Sequence, residues 1–162
     1  MTLVIVAANF DFVVQVSDRR LTSGGAVVSE ESTKSIYLQM PFAQTLIGYT
    51  GLAHIGRRPM NEVLLDLLEF SALPSSPFDP LLAMDEFAKA LNELFVTGEG
   101  RNYRKSDQRL SILISGFLLT DQGWVGPVQW HVSNFQDWDT GLDSNVAWPE
   151  FKMWFMDPVP GT

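Results

Sequence analysis

The fold is decided by residues 2–25, which read TLVIVAANFDFVVQVSDRRLTSGG. Two apolar, valine-rich runs at residues 2–8 and 12–17 flank Asn9-Phe10-Asp11, a combination typical of a β-hairpin. Asp18 and Arg20 follow the second run. Because hairpin strands are antiparallel, the end of the second strand returns beside the start of the first. The sequence therefore predicts that Thr2 lies close to Asp18 and Arg20.

The rest of the chain predicts an α+β fold in a single domain, residues 1–162. Helical spacing of apolar residues predicts one helix at about 59–68, with Pro59 in its first turn, and a second helix with Asp79 as cap and Pro80 at its first position. Residues 137–149 are predicted to be loop. Further strands are predicted at residues 26–28, 34–40, 43–48, 110–119, 125–134 and 151–156.

Composition excludes several classes of function. The chain has no cysteine, so disulfides and thiolate chemistry are excluded, and a reducing cytoplasm is expected. A formal charge of −8 argues against nucleic acid and anionic membrane surfaces as partners. No apolar run approaches the roughly 20 residues of a membrane helix. His54 and His131 lack the spacing of a metal site, so neither a metal nor another cofactor is expected.

Four residues of the first fifty suggest hydrolytic chemistry. Removal of Met1 would give Thr2 a hydroxyl and a free α-amine, and such an amine, with a pKa of about 7.7–8.0, can act as a base. Lys34 opens a later strand and could lower the pKa of the Thr2 hydroxyl, with Asp18 holding the lysine in place. The backbone N–H of Gly48 could stabilise an oxyanion.

Each of these residues also has an ordinary structural interpretation. Thr2 could be an unremarkable chain terminus, Asp18 part of a solvated turn, and Lys34 a surface lysine. Gly48 could simply allow a close approach before the helical region. The residue types and their spacing leave both interpretations open.

Three segments resemble the opening half of a proteasome β-type subunit, a family that includes the HslV-like peptidases. They are VSDRRLTSGG at residues 16–25, TKSI at 33–36 and IGYTG at 47–51. Asp18, Arg20, Lys34 and Gly48 lie 16, 18, 32 and 46 residues after Thr2, as the corresponding residues of the family do. The segments at 110–116 and 126–132 also resemble a family strand pair, so the resemblance covers about residues 2–134.

The resemblance implies an N-terminal nucleophile (Ntn) hydrolase, an αββα sandwich of two antiparallel sheets. It implies a threonine-type amide hydrolase that cleaves peptides or proteins, with Thr2 as nucleophile and its amine as proton acceptor. Lys34 would lower the pKa of the Thr2 hydroxyl, Asp18 would pair with Lys34, and the Gly48 N–H would bind the oxyanion. Arg20 would give structural support, and a homo-oligomer, most simply a ring, is expected. A neutral substrate pocket would be lined by Leu21, Ser32, Ile36, Leu46, Thr50 and His54.

The sequence departs from the family after residue 134. Only 28 residues follow, without the helical periodicity of the family's second pair of helices. The sandwich is therefore expected to lack its C-terminal helical layer and to expose an apolar sheet face. The alternative function is a non-catalytic structural or assembly member of the same fold, or a truncated, inactive paralogue.

Overall fold

A computed structural model describes residues 3–19, 21–23, 26–29, 32–40, 43–72, 79–120 and 123–156. Within them the helices are α1 (Met60–Ala72), α2 (Pro80–Val96) and a 3₁₀ helix, Glu99–Asn102. The strands are β1 (Val4–Ala8), β2 (Val13–Ser17), β3 (Leu21–Ser23), β4 (Ala26–Ser29), β5 (Ser35–Met40), β6 (Ala43–Gly51), β7 (His54–Ile55), β8 (Arg58–Pro59), β9 (Leu110–Thr120), β10 (Gly123–Ser133), β11 (Gln136–Asp137), β12 (Leu142–Asp143) and β13 (Lys152–Met156).

The fold is α+β, as predicted, and the strand pairs with an assigned register are antiparallel. The chain groups into two compact units. The first contains residues 1–50, 112–131 and 154–162, and the second contains residues 51–111 and 132–153. No described helix is long and apolar enough to cross a membrane.

The first unit begins with the β1–β2 hairpin. Val4 pairs with Ser17 and Ala8 with Val13, and the Asn9 side chain accepts the N–H groups of Asp11 and Phe12 to close the turn. An asparagine that bonds the backbone two and three residues ahead is a common way to close a turn. Along both strands, half-buried and exposed residues alternate, so each strand has an inner and an outer face.

A five-stranded sheet runs in the order β13-β10-β9-β6-β5. Neighbours β5 and β6 pair antiparallel, with Ser35 opposite Gly48 and Met40 opposite Ala43. The part of this sheet that belongs to the first unit carries the buried apolar side chains of that unit: Ile36, Ala43, Ile47, Tyr49, Ile112, Ile114, Val128 and Trp130.

The second unit contains both helices. Asp79 caps α2 by accepting the N–H groups of Leu81 and Leu82, and Pro80 begins the helix. One face of α2 is buried, and the ring of Phe95 packs edge-on against Phe151 at 5.2 Å between centroids. The Phe151 N–H donates to the side chain of Asn92 at 2.7 Å. The apolar stripe of α2 therefore anchors the segment before β13 within this unit.

Most predicted elements are present, with two differences. Pro59 ends β8 directly before α1, so its placement inside the first helical turn was wrong. Strand β3 and the short pairs β7–β8 and β11–β12 were not predicted as strands. The single-domain assignment stays a prediction.

Candidate functional site

The centre of the candidate site is an ion pair between Lys34 and Asp18. The Lys34 Nζ lies 2.7 Å from Asp18 Oδ1. The lysine side chain is 3% exposed, whereas the aspartate side chain is 36% exposed. Asp18 directly follows β2 and Lys34 directly precedes β5, so two strand ends bring together residues that are 16 apart in sequence. The pair therefore places a buried positive charge beside a half-exposed carboxylate.

Asp18 also holds the start of the chain. Its Oδ2 accepts the Leu3 N–H at 3.2 Å, and its own N–H donates to the Leu3 carbonyl at 3.1 Å. One carboxylate thus contacts both the buried lysine and the backbone of Leu3. Thr2, the residue before Leu3, lies outside the described residues, as does Arg20. The structure shows the contacts of Leu3, whereas the positions of Thr2 and Arg20 stay predictions.

Ser35 ties the hairpin to β5 and was not predicted as a site residue. Its hydroxyl lies 2.7 Å from that of Ser17 and accepts the side-chain N–H of Gln15 at 3.3 Å. Both contacts lie on the inner face of β2, next to the Lys34–Asp18 pair. The only feature of the sequence that could have indicated these contacts is that the polar residues Gln15 and Ser17 interrupt an apolar run at alternate positions.

Gly48 is buried beneath the same hairpin. A Cβ at this position would come within 2.7 Å of the Val4 side chain and 2.8 Å of Gln15 Nε2. A Cβ contact under about 3.0 Å requires something to shift, so a larger residue here would displace the Val4 and Gln15 side chains, and glycine lets the hairpin approach β6 closely. Gly48 therefore has a packing role, whatever its chemistry.

The direction of the Gly48 N–H follows from the strand register. Tyr49 donates its N–H to the Lys34 carbonyl at 3.2 Å. Hydrogen-bonded and non-hydrogen-bonded positions alternate along an antiparallel pair, so Ser35 and Gly48 form a non-hydrogen-bonded pair. The Gly48 N–H consequently points away from β5, toward the side of β6 on which β9 lies.

The register of the β5–β6 pair does not place all the predicted pocket residues on the same face of the sheet. Ile36 lies opposite Ile47, whereas Leu46 lies opposite Tyr37, so the Ile36 and Leu46 side chains are on different faces of the β5–β6 pair. Ile36 is buried and Leu46 half-buried. The substrate pocket stays a prediction.

The remaining pocket residues occupy varied settings. Ser32 and Thr50 are half-buried in the first unit, and the Ser32 N–H donates to the Arg19 carbonyl at 3.1 Å. His54 is exposed on β7 of the second unit. Leu21 begins β3, whose backbone pairs with β4.

The Lys34–Asp18 arrangement can stabilise a developing negative charge next to the start of the chain. Among the described residues, no group of three or more histidine, aspartate or glutamate side chains could hold a metal ion. No protein-family model matches the chain, and no curated protein matches its sequence. The function of the site is therefore inferred from its residues and their geometry.

Proposed function

We propose that this protein is a threonine-type Ntn amide hydrolase, a proteasome-like peptidase that uses Thr2 after removal of Met1. The observation that carries the proposal is the triple contact at Asp18, which pairs with the buried Lys34 and binds the backbone of Leu3, the neighbour of Thr2. The fold would be an αββα sandwich without its C-terminal helical layer. The resemblance extends the proposal to a cytoplasmic homo-oligomer, most simply a ring.

The burial of Lys34 supports a chemical role. Moving an ammonium group out of water costs several kcal/mol, and an apolar residue of similar size would serve packing as well or better. Lys34 is 3% exposed and its partner Asp18 is much more accessible. A buried charge at the junction of two strands is expected where its electric field has a function. Here the field of the Lys34 ammonium would favour the deprotonated form of the Thr2 hydroxyl.

The remaining steps follow the ordinary chemistry of a terminal nucleophile. The α-amine of Thr2 takes the proton of its hydroxyl, the oxygen attacks the substrate carbonyl, and a tetrahedral intermediate forms. The amine then protonates the leaving amine, and water hydrolyses the ester that remains on Thr2. Lys34 offsets the negative charge during attack, and Asp18 keeps Lys34 and Leu3 in place. The substrate would be a peptide or protein amide with an uncharged residue before the cleaved bond.

A non-catalytic structural or assembly role is the second candidate, and one observation favours it. Gly48, the proposed oxyanion donor, is already accounted for by the close approach of Val4 and Gln15. Its N–H lies on the β9 side of β6, where a backbone carbonyl of β9 can accept it in a sheet hydrogen bond. Under this alternative the Lys34–Asp18 pair would only hold the hairpin against β5.

Intact-mass measurement combined with a covalent probe distinguishes the two candidates. We expect the mature chain to begin at Thr2 and to react with a β-lactone or epoxyketone at that residue, and Thr2→Ala to remain unlabelled. Circular dichroism should show the same fold for both proteins. Retention of Met1 in most molecules, or equal labelling of both proteins, would exclude the catalytic proposal. A correctly processed wild type that no such probe labels would favour the structural role.

A further inference from the structure

The outer face of the β1–β2 hairpin is apolar and exposed. Outer face here means the alternate residues Leu3, Ile5, Ala7, Phe12, Val14 and Val16. Ile5 pairs with Val16 and Ala7 with Val14 across the hairpin, so these side chains form one continuous surface. Phe10, at the turn, is not part of this face, because its ring lies beside Gly126 of β10. The large side chains of the outer face are 48–60% exposed.

The inner face of the same strands is also largely apolar, with Val4, Val6, Ala8 and Val13 half-buried beside Gln15 and Ser17. Strands that carry apolar residues on both faces are typical of sheets that are covered on both sides. In this chain one side is covered and the other is exposed to solvent. With about 150–200 Å² for each large side chain, the exposed part amounts to roughly 500 Å², near the upper end of the range for the largest patch on most monomers. A surface of this kind indicates a binding partner.

We propose that the partner is a second copy of this chain, packed outer face to outer face about a two-fold axis. Two such surfaces would bury about 1,000 Å² in total, which is the smallest area expected of a specific protein–protein interface. An isologous contact needs only one self-complementary surface, and this surface is apolar throughout.

The charges at the ends of the hairpin suit a two-fold arrangement. Asp11 is exposed at the turn and Arg19 is exposed at the open end, and the only charged residue between them, Asp18, pairs with Lys34. A two-fold axis that lies in the interface and runs perpendicular to the strands places Asp11 of each copy toward Arg19 of the other. Such opposite charges fix orientation more than they add affinity. An anionic lipid surface would instead be repelled by the net charge of −8.

Sedimentation velocity of the full chain tests the proposal over about 1–100 µM. We expect the smallest associated species to be a dimer of 18.1 kDa chains, the pair from which any larger assembly is built, and we expect Ile5→Lys to raise the dissociation constant of this contact at least roughly 100-fold. The matched control is Leu142→Lys, which changes an even more exposed leucine in the second unit and should leave the dimer intact. A monomeric wild type, or equal dissociation by both variants, would overturn the proposal. Thr2→Ala should remain dimeric, which separates this interface from the proposed chemistry.

A cross-linking experiment keeps the test decisive if Ile5→Lys does not fold. The chain has no cysteine, so Ala7→Cys introduces a single thiol near the centre of the outer face. Close to a two-fold axis, a residue faces its own counterpart, so mild oxidation should give a disulfide-linked dimer. Ser106→Cys, exposed in the second unit, should give none. Failure of Ala7→Cys to cross-link, or equal cross-linking of both variants, would contradict the two-fold packing.

Discussion

The two units each bury a polar centre, and the centres differ in charge. In the second unit, Asn134 accepts the Leu110 N–H at 2.8 Å and donates to the Gln108 carbonyl at 3.0 Å. The Gln108 side chain donates to the carbonyls of Gly100 and Tyr103, both at 2.9 Å. All of these groups are neutral. In the first unit, the buried group is the ammonium of Lys34, paired with Asp18.

This difference separates a structural centre from a candidate chemical one. The amides of Gln108 and Asn134 supply hydrogen bonds to buried backbone groups, which would otherwise be unsatisfied at a cost of about 1–3 kcal/mol each. No apolar side chain could replace them. Lys34 instead brings a full charge into a site where an apolar residue would be tolerated. Substitutions at the two centres should therefore affect stability and activity in opposite ways.

The largest expected effect is on activity, at Thr2. Thr2→Ala should lower the hydrolysis of a fluorogenic peptide amide by at least about 10³-fold, because the nucleophilic oxygen is lost. Thr2→Ser is the matched control, since it keeps both hydroxyl and amine, and should retain most of the activity. Hydrolysis that survives in Thr2→Ala would show that the chemistry lies elsewhere.

Lys34→Met should abolish hydrolysis without loss of stability. Removing the buried charge leaves Asp18, which is accessible enough for water to solvate it, so the free energy of unfolding should change little, well short of the roughly 3–5 kcal/mol lost when one partner of a fully buried pair is removed. Urea unfolding and peptide hydrolysis measure the two quantities. The Thr2→Ala/Lys34→Met double variant should be scarcely less active than either single variant, because the groups act together. A large loss of stability in Lys34→Met would assign the pair to structure.

Asn134→Leu should give the opposite pattern. It leaves the Leu110 N–H and the Gln108 carbonyl without side-chain partners, so the free energy of unfolding should fall by about 2–4 kcal/mol. For a chain of this size, that corresponds to a Tm lowered by about 5–15 °C. Residual hydrolysis by the folded fraction should be unchanged. A Tm equal to that of the wild type would show that the amide network is dispensable.

The smallest expected effect concerns Asp137 in the second unit. Its hydrogen bond to Lys152, at 3.0 Å, holds the pKa of the carboxyl below its ordinary value of 3.8. A lowered pKa stabilises the fold above the unfolded value, and this contribution is lost as the pH falls through the folded pKa. Asp137→Asn should therefore lower the Tm slightly at pH 7, and the two proteins should converge below about pH 3.8. A difference in Tm that is the same at all pH values would contradict this assignment.

Local sequence signals predicted the elements that depend on neighbouring residues. The helix α2 was predicted from Asp79, Pro80 and an apolar stripe, and the hairpin from two apolar runs around Asn9. The pair β7–β8 had no such signal, because two-residue strands show no periodicity. Its turn contains Gly56, with φ +60°, whose N–H donates to the hydroxyl of a distant residue, Tyr103, at 2.9 Å. Tertiary contacts of this kind are not visible in local sequence.

The candidate site was predictable only in part. The resemblance to proteasome β-type subunits led to the predicted pairing of Asp18 with Lys34, and the hairpin led to the predicted proximity of Asp18 to the start of the chain. The bond of Asp18 to the Leu3 N–H and the Ser17–Ser35 contact depend on the packing of the hairpin against β5. The faces on which Ile36 and Leu46 lie depend on strand register, which a shift of one residue would reverse.

The strand order of the five-stranded sheet has a consequence for the synthesis of the chain. The β5–β6 hairpin is complete at Gly51, but its neighbour β9 begins only at Leu110. At about 5–20 residues per second, roughly 3–12 s of translation separate the two strands. During that interval one edge of the apolar strand β6 lacks its eventual partner, and such edges readily pair with other chains. A chaperone that covers this edge during the interval should therefore increase the yield of folded chain.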